Sequence, residues 1–421
     1  MRIYERGLNM RELLVSSPGR ADFLNTHQDY KGLPVVPVAI NLRMYLYGEV
    51  TGNKEISVRS LDLEINGEPS TDSFEIGINE MLGGKFFGNY LRGVVNVLVK
   101  RGYSEKLRGM NVTIKSEIPI GSGLSSSAAL EVGFTHLLNI ACGLKLEKRD
   151  LAEIAFAAEN REVGIPCGRL DQYGVAFGGI IKLECRAPFN VEMLPFKDLT
   201  FAIIDSGIRH STADIHPKRQ AEINRGLRKL MESPEVPEGL KKLLGYRFDE
   251  PLWERLNEDV LKDFLRILDE EARKRIIFTL RMNRWTEFAL KILRGEKIHD
   301  DEASQIFDEE KLRRIKASAA TERKHVILGE IMNEQHSLLR DLYDVSLPEL
   351  EDICNAALEA EAYGAKISGA GMGGSIIALV KDEKHGKAVI DLCVKAGAKE
   401  GWVSKVGEGV KIESEAPKKR F

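Results

Sequence analysis

Pro119–Ile120–Gly121–Ser122–Gly123–Leu124–Ser125–Ser126–Ser127–Ala128–Ala129–Leu130–Glu131 joins two segments of different hydrophobic period. Upstream, residues 110–118 alternate, with Val112 and Ile114 on one side, which predicts a strand. Downstream, Ala128–Ala129–Leu130–Glu131–Val132 predicts a helix that runs to about Cys142, where Gly143 stops it. Glycine and serine at a strand-to-helix junction leave bare backbone amides that can converge on an anion. The positive end of the following helix points the same way. Three consecutive hydroxyls, Ser125, Ser126 and Ser127, add donors for phosphate oxygens and a hard oxygen ligand for Mg2+. A serine-capped tight turn is the alternative. Spacing excludes two familiar nucleotide loops. Gly121-x-Gly123 has no third glycine where the dinucleotide fingerprint needs one, and Gly84–Lys85 is followed by Phe86 rather than by a hydroxyl.

The chain has 421 residues, 43% hydrophobic and 30% charged, enough for two domains or two tightly joined lobes. A net charge of −3 gives no reason to expect a nucleic-acid or anionic-membrane partner. No apolar run approaches the roughly 20 residues of a membrane span, and residues 1–7 carry no signal-peptide core. Five cysteines are scattered without a C-x-x-C pair, which argues for a reducing compartment and against a zinc or disulfide framework. The expectation is a soluble, cytoplasmic protein.

Taken in order, Leu13–Leu14–Val15 predicts a strand that turns at Ser16–Ser17–Pro18–Gly19–Arg20. The next loop, Ala21–Asp22–Phe23–Leu24–Asn25–Thr26–His27–Gln28–Asp29–Tyr30–Lys31–Gly32, is dense in donors and acceptors. That mixture suits a polyhydroxylated ligand, whose hydroxyls each want both; a solvated loop is the alternative. Strands are predicted at 35–40, 43–50 and 56–60, and helices at 89–100 and 148–162. Residues 167–174 read as a turn-rich connection to a strand at 179–185, and another buried strand spans 201–204. From 217 to about 362 the pattern turns helical, with segments at 218–231, 253–268, 271–293, 309–320, 328–342 and 347–362. Residues 364–375 form a second glycine-rich loop before a strand at 376–380. A helix near 384–396, a strand near 402–406 and a frayed tail at 417–421 follow.

A polar Arg/His/Asp loop, a Gly-Ser loop capping a helix and a late glycine-rich turn, in this order, resemble the three motifs of the GHMP kinases, in the galactokinase branch. Gly19–Arg20 through His27-x-Asp29–Tyr30 resembles the branch's sugar signature, residues 119–129 its ATP motif, and 369–375 its third motif. Cys167–Gly168-x-x-Asp171–Gln172, Arg209–His210–Ser211 and the segment from His336 to Leu350 resemble it as well. The resemblance spans about residues 12 to 406. It implies an α+β, two-lobed fold. Residues 1–205 would form a sugar- and ATP-binding lobe with a mixed sheet and helices. Residues 206–421 would form a lobe of helices and a small antiparallel sheet, with a helical insert at about 217–362. The implied activity is transfer of the γ-phosphoryl group of ATP to the anomeric hydroxyl of galactose or a related sugar, with Mg2+. Asp171 would accept the proton of that hydroxyl or hold it in line, and Arg20 would balance Asp171 and the migrating charge. Gly121, Ser122, Gly123, Leu124, Ser125, Ser126 and Ser127 would cradle the phosphates. Ser127 and Glu159 would hold Mg2+, and Thr26, His27, Asp29, Gly168 and His216 would meet the sugar.

The chain departs from the branch in places. The usual Gly-Glu-His-Thr-Asp-Tyr is Asn25–Thr26–His27–Gln28–Asp29–Tyr30, so the glutamate expected near the sugar's C6 hydroxyl is Thr26. The tyrosine after the Arg-His-Ser segment is missing, with Ile215–His216–Pro217 in its region, and Asp22 replaces an asparagine. Loss of a carboxylate removes a strong acceptor and a repulsion against acidic groups. Galactose is the default substrate, with galacturonate, L-arabinose or an N-acetylated hexose as alternatives. A non-catalytic sugar and ATP sensor is the reading from another class. Residues 296–324 align poorly, and Asp300–Asp301–Glu302 reads as a solvated loop.

Overall fold

A computed structural model of the chain describes residues 12–84, 86–209 and 215–413. Lys85, His210, Ser211, the N-terminal residues 1–7 and the tail at 417–421 lie outside the described residues.

Twelve strands stand among the described residues, some alternating, such as Met110–Ser116, and others continuous buried runs, such as Ser375–Val380. In chain order they begin with β1 (Glu12–Leu24), β2 (Val36–Val50), β3 (Glu55–Ser60), β4 (Thr71–Glu75), β5 (Met110–Ser116) and β6 (Ile180–Leu183). They continue with β7 (Val191–Leu194), β8 (Thr200–Asp205), β9 (Gly364–Ser368), β10 (Ser375–Val380), β11 (Glu400–Lys405) and β12 (Lys411–Ile412). The first sheet runs β12-β1-β2-β5-β3-β4, with β6 and β7 branching from β2. It is mixed, because β3 and β5 pair in parallel. The second sheet, β11-β8-β10-β9, is antiparallel throughout.

The helix Ser126–Ala141 crosses the face of β1 and β2 with its apolar side buried. Gly133 permits the approach: a Cβ there would fall 2.7 Å from Leu46 Cδ1 and from Ser17 Oγ. The Ser17 hydroxyl donates to Ala129 O at 2.6 Å, so a buried polar group on the strand finds its partner on the helix. In the insert, Ile223, Leu227, Trp253 and Ile276 close a separate core. Buried Arg275 there bonds Glu222 Oε2, Leu342 O and Asp344 Oδ2, each at 2.6 Å.

Many predicted elements stand within about three residues. The turn expected at 16–20 and the start of the loop expected at 21–32 are instead part of the strand Glu12–Leu24, whose buried polar residues Ser16, Ser17, Arg20 and Asp22 disguise it. The helix expected from 328 begins at Arg323. Residues 35–40 and 43–50 form the single strand β2, which runs through a bulge at Asn41 and Leu42 where the register with β1 slips and Asn41 N donates to Ser404 Oγ instead. The stretch 253–268 is three short turns, Trp253–Arg255, Glu258–Leu261 and Leu265–Ile267, rather than one helix. Asn257 breaks it by accepting Val260 N–H as an N-cap. The helix at 148–162 is α over Lys148–Ala157 and then widens to a π turn, Ala158–Val163. The connection at 167–174 already contains the start of the helix Leu170–Phe177. The first residues of the late glycine-rich loop are strand β9, so the turn begins at Gly369. Asp300–Asp301–Glu302 opens the helix Asp300–Ser304, and Glu302 pairs with Lys291 at 2.5 Å. β8, expected at the end of the first lobe, pairs in the second sheet, while β12 returns to the first.

The seam between the helix Arg323–Asp341 and β9 is tight. A Cβ on Gly364 would lie 2.0 Å from Gly329 O, a backbone atom that cannot swing aside. Gly364→Ala should therefore destabilise the protein by about 2 kcal/mol or more in urea unfolding. An unchanged midpoint would show that the seam gives way.

Candidate active site

Arg20 sits where the β1–β2 register slips. Pro18 opposes Arg43 but Arg20 opposes Ala39, a bulge that re-aims the side chain. The guanidinium donates from Nε and Nη2 to Asp171 Oδ1, at 2.8 and 2.6 Å. Its Nη1 donates to Gly123 O at 2.6 Å, and the Arg20 amide donates to Leu124 O at 3.1 Å. One arginine thus binds both the Gly-Ser loop and Asp171, in the first turn of the helix Leu170–Phe177. The Asp171 side chain is 30% exposed against 8% for Arg20, so the carboxylate is the member of the pair open to a ligand.

The Gly-Ser loop is shaped for a wrapped anion. Gly121, Gly123 and Ser125 have φ of 71°, 78° and 63°. Left-handed backbone is unusual for serine and signals constraint. Ser125 Oγ is buried without a partner, the kind of orphan donor a phosphate oxygen satisfies. Ser122 Oγ donates to Pro119 O at 2.8 Å, and Ser375 Oγ donates to Ser122 O at 2.7 Å. The late glycine turn is therefore pinned against the loop, and a Cβ on Gly374 would stand 3.5 Å from Ser122 O. Arg209, clamped by Asp205 at 2.6 Å, packs its side chain on Gly121. A cavity of about 720 Å3 opens from Gly121, Ser126 and Ser127 toward Leu63, Phe86 and Tyr90.

Glu159 lies on the π turn, buried, and Gln172 Nε2 donates to its Oε2 at 2.6 Å. Burial pushes its carboxyl up to about 7. Nearby Asp171 adds to the push, while hydrogen bonding from Ser127 and Cys167 opposes it. One hydroxyl and one carboxylate fit Mg2+, which keeps most of its shell for water and phosphate. Behind them lies Glu131, 0% exposed, with neither carboxyl oxygen partnered. Burial raises its carboxyl well above the usual range, and Glu159 adds to this while Gln172 draws it back.

A second cavity, of about 480 Å3, is lined by Asp29, Gly168 and His216, with Tyr30, Arg186 and Gln220. Gly168 has a steric reason, since a Cβ there would strike Asp29 Oδ2 at 1.9 Å. Burial raises the Asp29 carboxyl and lowers the His216 imidazole. Thr26 and His27 are not among the lining residues. Thr26 Oγ1 accepts from Lys366 Nζ at 3.0 Å, and His27 Nε2 stands 3.0 Å from Ala370 O. The ring of His27 lies 5.2 Å from that of His216, so it backs the cavity wall, and burial holds it well below its usual pKa.

The structure thus brings together Arg20, Asp171, residues 121–127 and Glu159, and separately Asp29, Gly168 and His216. Sequence reasoning gave no role to Gln172, Glu131 or Lys366. Lys366 interrupts an apolar run and Glu131 begins a turn of core-like helix, so the only available signal was a charge at a buried period.

Known families and proteins are similar to this chain over most of its length. The model for the GHMP kinases N terminal domain matches residues 89–179, that for GHMP kinases C terminal matches 316–398, and the galactokinase galactose-binding signature matches 4–49. The galactokinase of Thermococcus kodakarensis is 31% identical over 411 residues, covering 94% of this chain and 99% of that protein. That of Pyrococcus furiosus is 29% identical over 401 residues, covering 94% and 97%. Among solved structures, Lactococcus lactis galactokinase complexed with galactose has a TM-score of 0.74 at 24% identity, over 95% of each chain. Methanococcus jannaschii mevalonate kinase reaches 0.63 at 18% identity, over 96% of this chain and 100% of that one. The chain belongs to the GHMP kinases, in their galactokinase branch. It is accordingly a sugar kinase.

Asp22 adds a pH signature. Burial raises its carboxyl to about 6, against the pull of Lys366 and Arg20. An acid whose folded pKa exceeds its unfolded value contributes stability below the unfolded pKa, near 3.8 here, and loses it as pH rises through 6. Asp22→Asn should therefore gain on the wild type between pH 4 and 7, by on the order of 2–3 kcal/mol. Parallel unfolding profiles across that window would contradict the raised pKa.

Proposed function

We propose that this chain transfers the γ-phosphoryl group of ATP to the anomeric hydroxyl of galactose or a closely related galacto-configured sugar, giving the sugar 1-phosphate and ADP. The observation that carries the reading is Arg20 joining Gly123 O to Asp171 Oδ1, because it sets a phosphate cradle beside an open carboxylate. Phosphoryl transfer asks for in-line positioning and charge neutralisation more than for covalent chemistry. Amides and hydroxyls of residues 121–127 hold the phosphates, and the cavity by Phe86 and Tyr90 takes the base. Asp171 holds the anomeric hydroxyl in line and is the acceptor at hand for its proton. Arg20 pairs with Asp171 and offsets the charge on the moving phosphoryl group. Ser127 and Glu159 are the residues that would hold Mg2+, which when bound neutralises phosphate charge.

Asp29, with Gly168 beneath it and His216 opposite, holds the sugar's ring hydroxyls. Thr26 stands where relatives of the branch carry an acid, and its hydroxyl is engaged by Lys366. This favours a galacto-configured ring with latitude at C6. The two sheets stand for the two proposed lobes; the 480 Å3 cavity takes residues from both, while the 720 Å3 cavity is lined from the first alone. No described helix is long and apolar enough to cross a membrane. The five free cysteines suit a reducing, cytoplasmic setting.

An ADP-release assay with saturating Mg–ATP and a panel of galactose, galacturonate, L-arabinose and N-acetylgalactosamine tests the reading. Turnover should appear with galactose or one of these relatives. Asp171→Asn should lower kcat about a hundredfold or more while nucleotide affinity stays within a few-fold. Binding of both ligands without turnover would mark a sensor and overturn the kinase, and near-normal kcat in the variant would strip Asp171 of its role.

A further inference from the structure

The wall of the 480 Å3 cavity carries an arginine whose charge no acid answers. Arg186 follows β6 and lines that wall. Its Nε donates to Gly32 O at 3.3 Å and its Nη2 to Pro251 O at 2.5 Å, both neutral carbonyls. Among the described residues no carboxylate pairs with Arg186, and its Nη1 has no hydrogen-bond partner. The other charges of the wall are accounted for. Arg169 is matched by Glu153 at 2.7 Å, and Asp249 takes two bonds from Arg247, at 3.1 and 2.8 Å.

Contacts order the cavity from one end to the other. Asp171 lies three residues after Gly168, where a Cβ would strike Asp29 Oδ2. The turn Asp29–Lys31 closes at Gly32, whose amide donates to Asp29 O at 3.0 Å. A Cβ on Gly32 would lie 2.7 Å from Arg186 Nε, so the bare glycine is what lets the guanidinium pack there. From the insert, His216 and Gln220 stand four residues apart on the helix Ile215–Glu232 and line the same cavity. Burial keeps the His216 imidazole below its usual pKa, so it is a neutral hydrogen-bonding group.

We propose that Arg186, with the Gln220 amide and the His216 imidazole, forms a carboxylate subsite, and that the favoured acceptor is a galacto-configured hexuronic acid. The chemistry of the acceptor fixes where the acid group sits. A hexose that keeps its anomeric hydroxyl bears a carboxylate only at C6, because oxidation at C1 removes the group to be phosphorylated. With C1 at Asp171 and ring hydroxyls at Asp29, the far end of the sugar meets Arg186. A C6 hydroxyl there takes one bond and leaves the guanidinium charge unmatched, whereas a carboxylate gives it a charge-assisted bond, roughly twice as strong as a neutral one. The transfer step is unchanged: the anomeric oxygen bonds to the γ-phosphorus as the bond to ADP breaks, and the hydroxyl proton passes to Asp171. The inference rests on the sugar end of the proposed function.

ADP release with galacturonate, its C6 methyl ester, galactose and galactose 6-phosphate tests it, with calorimetric binding of each sugar alongside. kcat/KM for galacturonate should exceed that for galactose and for the uncharged ester about tenfold or more. Arg186→Leu should cut the ratio of galacturonate to galactose kcat/KM about tenfold or more, a ratio that general damage to the fold does not move. Because Arg186 also holds Gly32 and Pro251, Gln220→Leu decides by the same ratio should that variant not fold. Preference for galactose over galacturonate overturns the subsite and leaves the proposed function standing, and an unchanged ratio in the deciding variant does the same. Preference for galactose 6-phosphate over galacturonate overturns the assignment to a carboxylate. Should no sugar be turned over, the proposed function fails. The subsite then stands only if galacturonate binds more tightly than galactose and the deciding variant abolishes the difference; equal binding overturns it as well.

Discussion

The fork of Arg20 is the constraint on which the rest of the site depends. A guanidinium nearly excluded from water must spend its donors well, and here they go to Asp171 and to a carbonyl of the Gly-Ser loop. Breaking either link would leave a buried charge half paired, which costs far more than the pair contributes to stability when intact. The register slip in β1, the left-handed turns at Gly121, Gly123 and Ser125, and the start of the helix Leu170–Phe177 all serve that one side chain. Local irregularity in the backbone is here the means of setting two distant segments at hydrogen-bond distance.

The chain's departures from its branch are absorbed inside the protein. Lys366 Nζ, wholly buried, donates to Asp22 O, Thr26 Oγ1 and Ile367 O, so its three protons are all used. Thr26 therefore answers to Lys366, and Asp22 supplies the nearby negative charge that keeps the lysine's pKa from falling below about 8. Three positions that look independent along the chain form one buried polar unit. Under the proposed function, discrimination among sugars falls to the residues that line the 480 Å3 cavity, Asp29 and His216 among them.

How much was legible in the sequence follows from what each segment had to satisfy. The Gly-Ser loop was plain because its glycines suit the left-handed turns at Gly121 and Gly123, and its flanks keep clear periods of two and 3.6. The pairing of Arg20 with Asp171 was reachable only through family resemblance, since 151 residues separate them. β9 was hidden because Lys366 sits in mid-strand, and a lysine satisfied by three acceptors looks the same in sequence as one in water. The turns around Asn257 were missed because apolar residues at helical spacing also suit short turns folded over Trp253. Glu131 gave no signal in sequence, being the single acid of a helix whose neighbouring positions Ala128, Ala129, Leu130 and Val132 read as core.

β12 lies against β1, pairing Ile412 with Val15, and Arg43 reaches across to the carbonyls of Glu408 and Gly409. Ser16 and Glu413, bonded side chain to side chain, are separated by 397 positions. During synthesis from the ribosome, β1 therefore emerges with one edge uncovered and stays so until nearly all the remaining residues have followed. That makes this margin of the first sheet, at Val15 and Ser16, a place where premature association with other chains has a long time to begin.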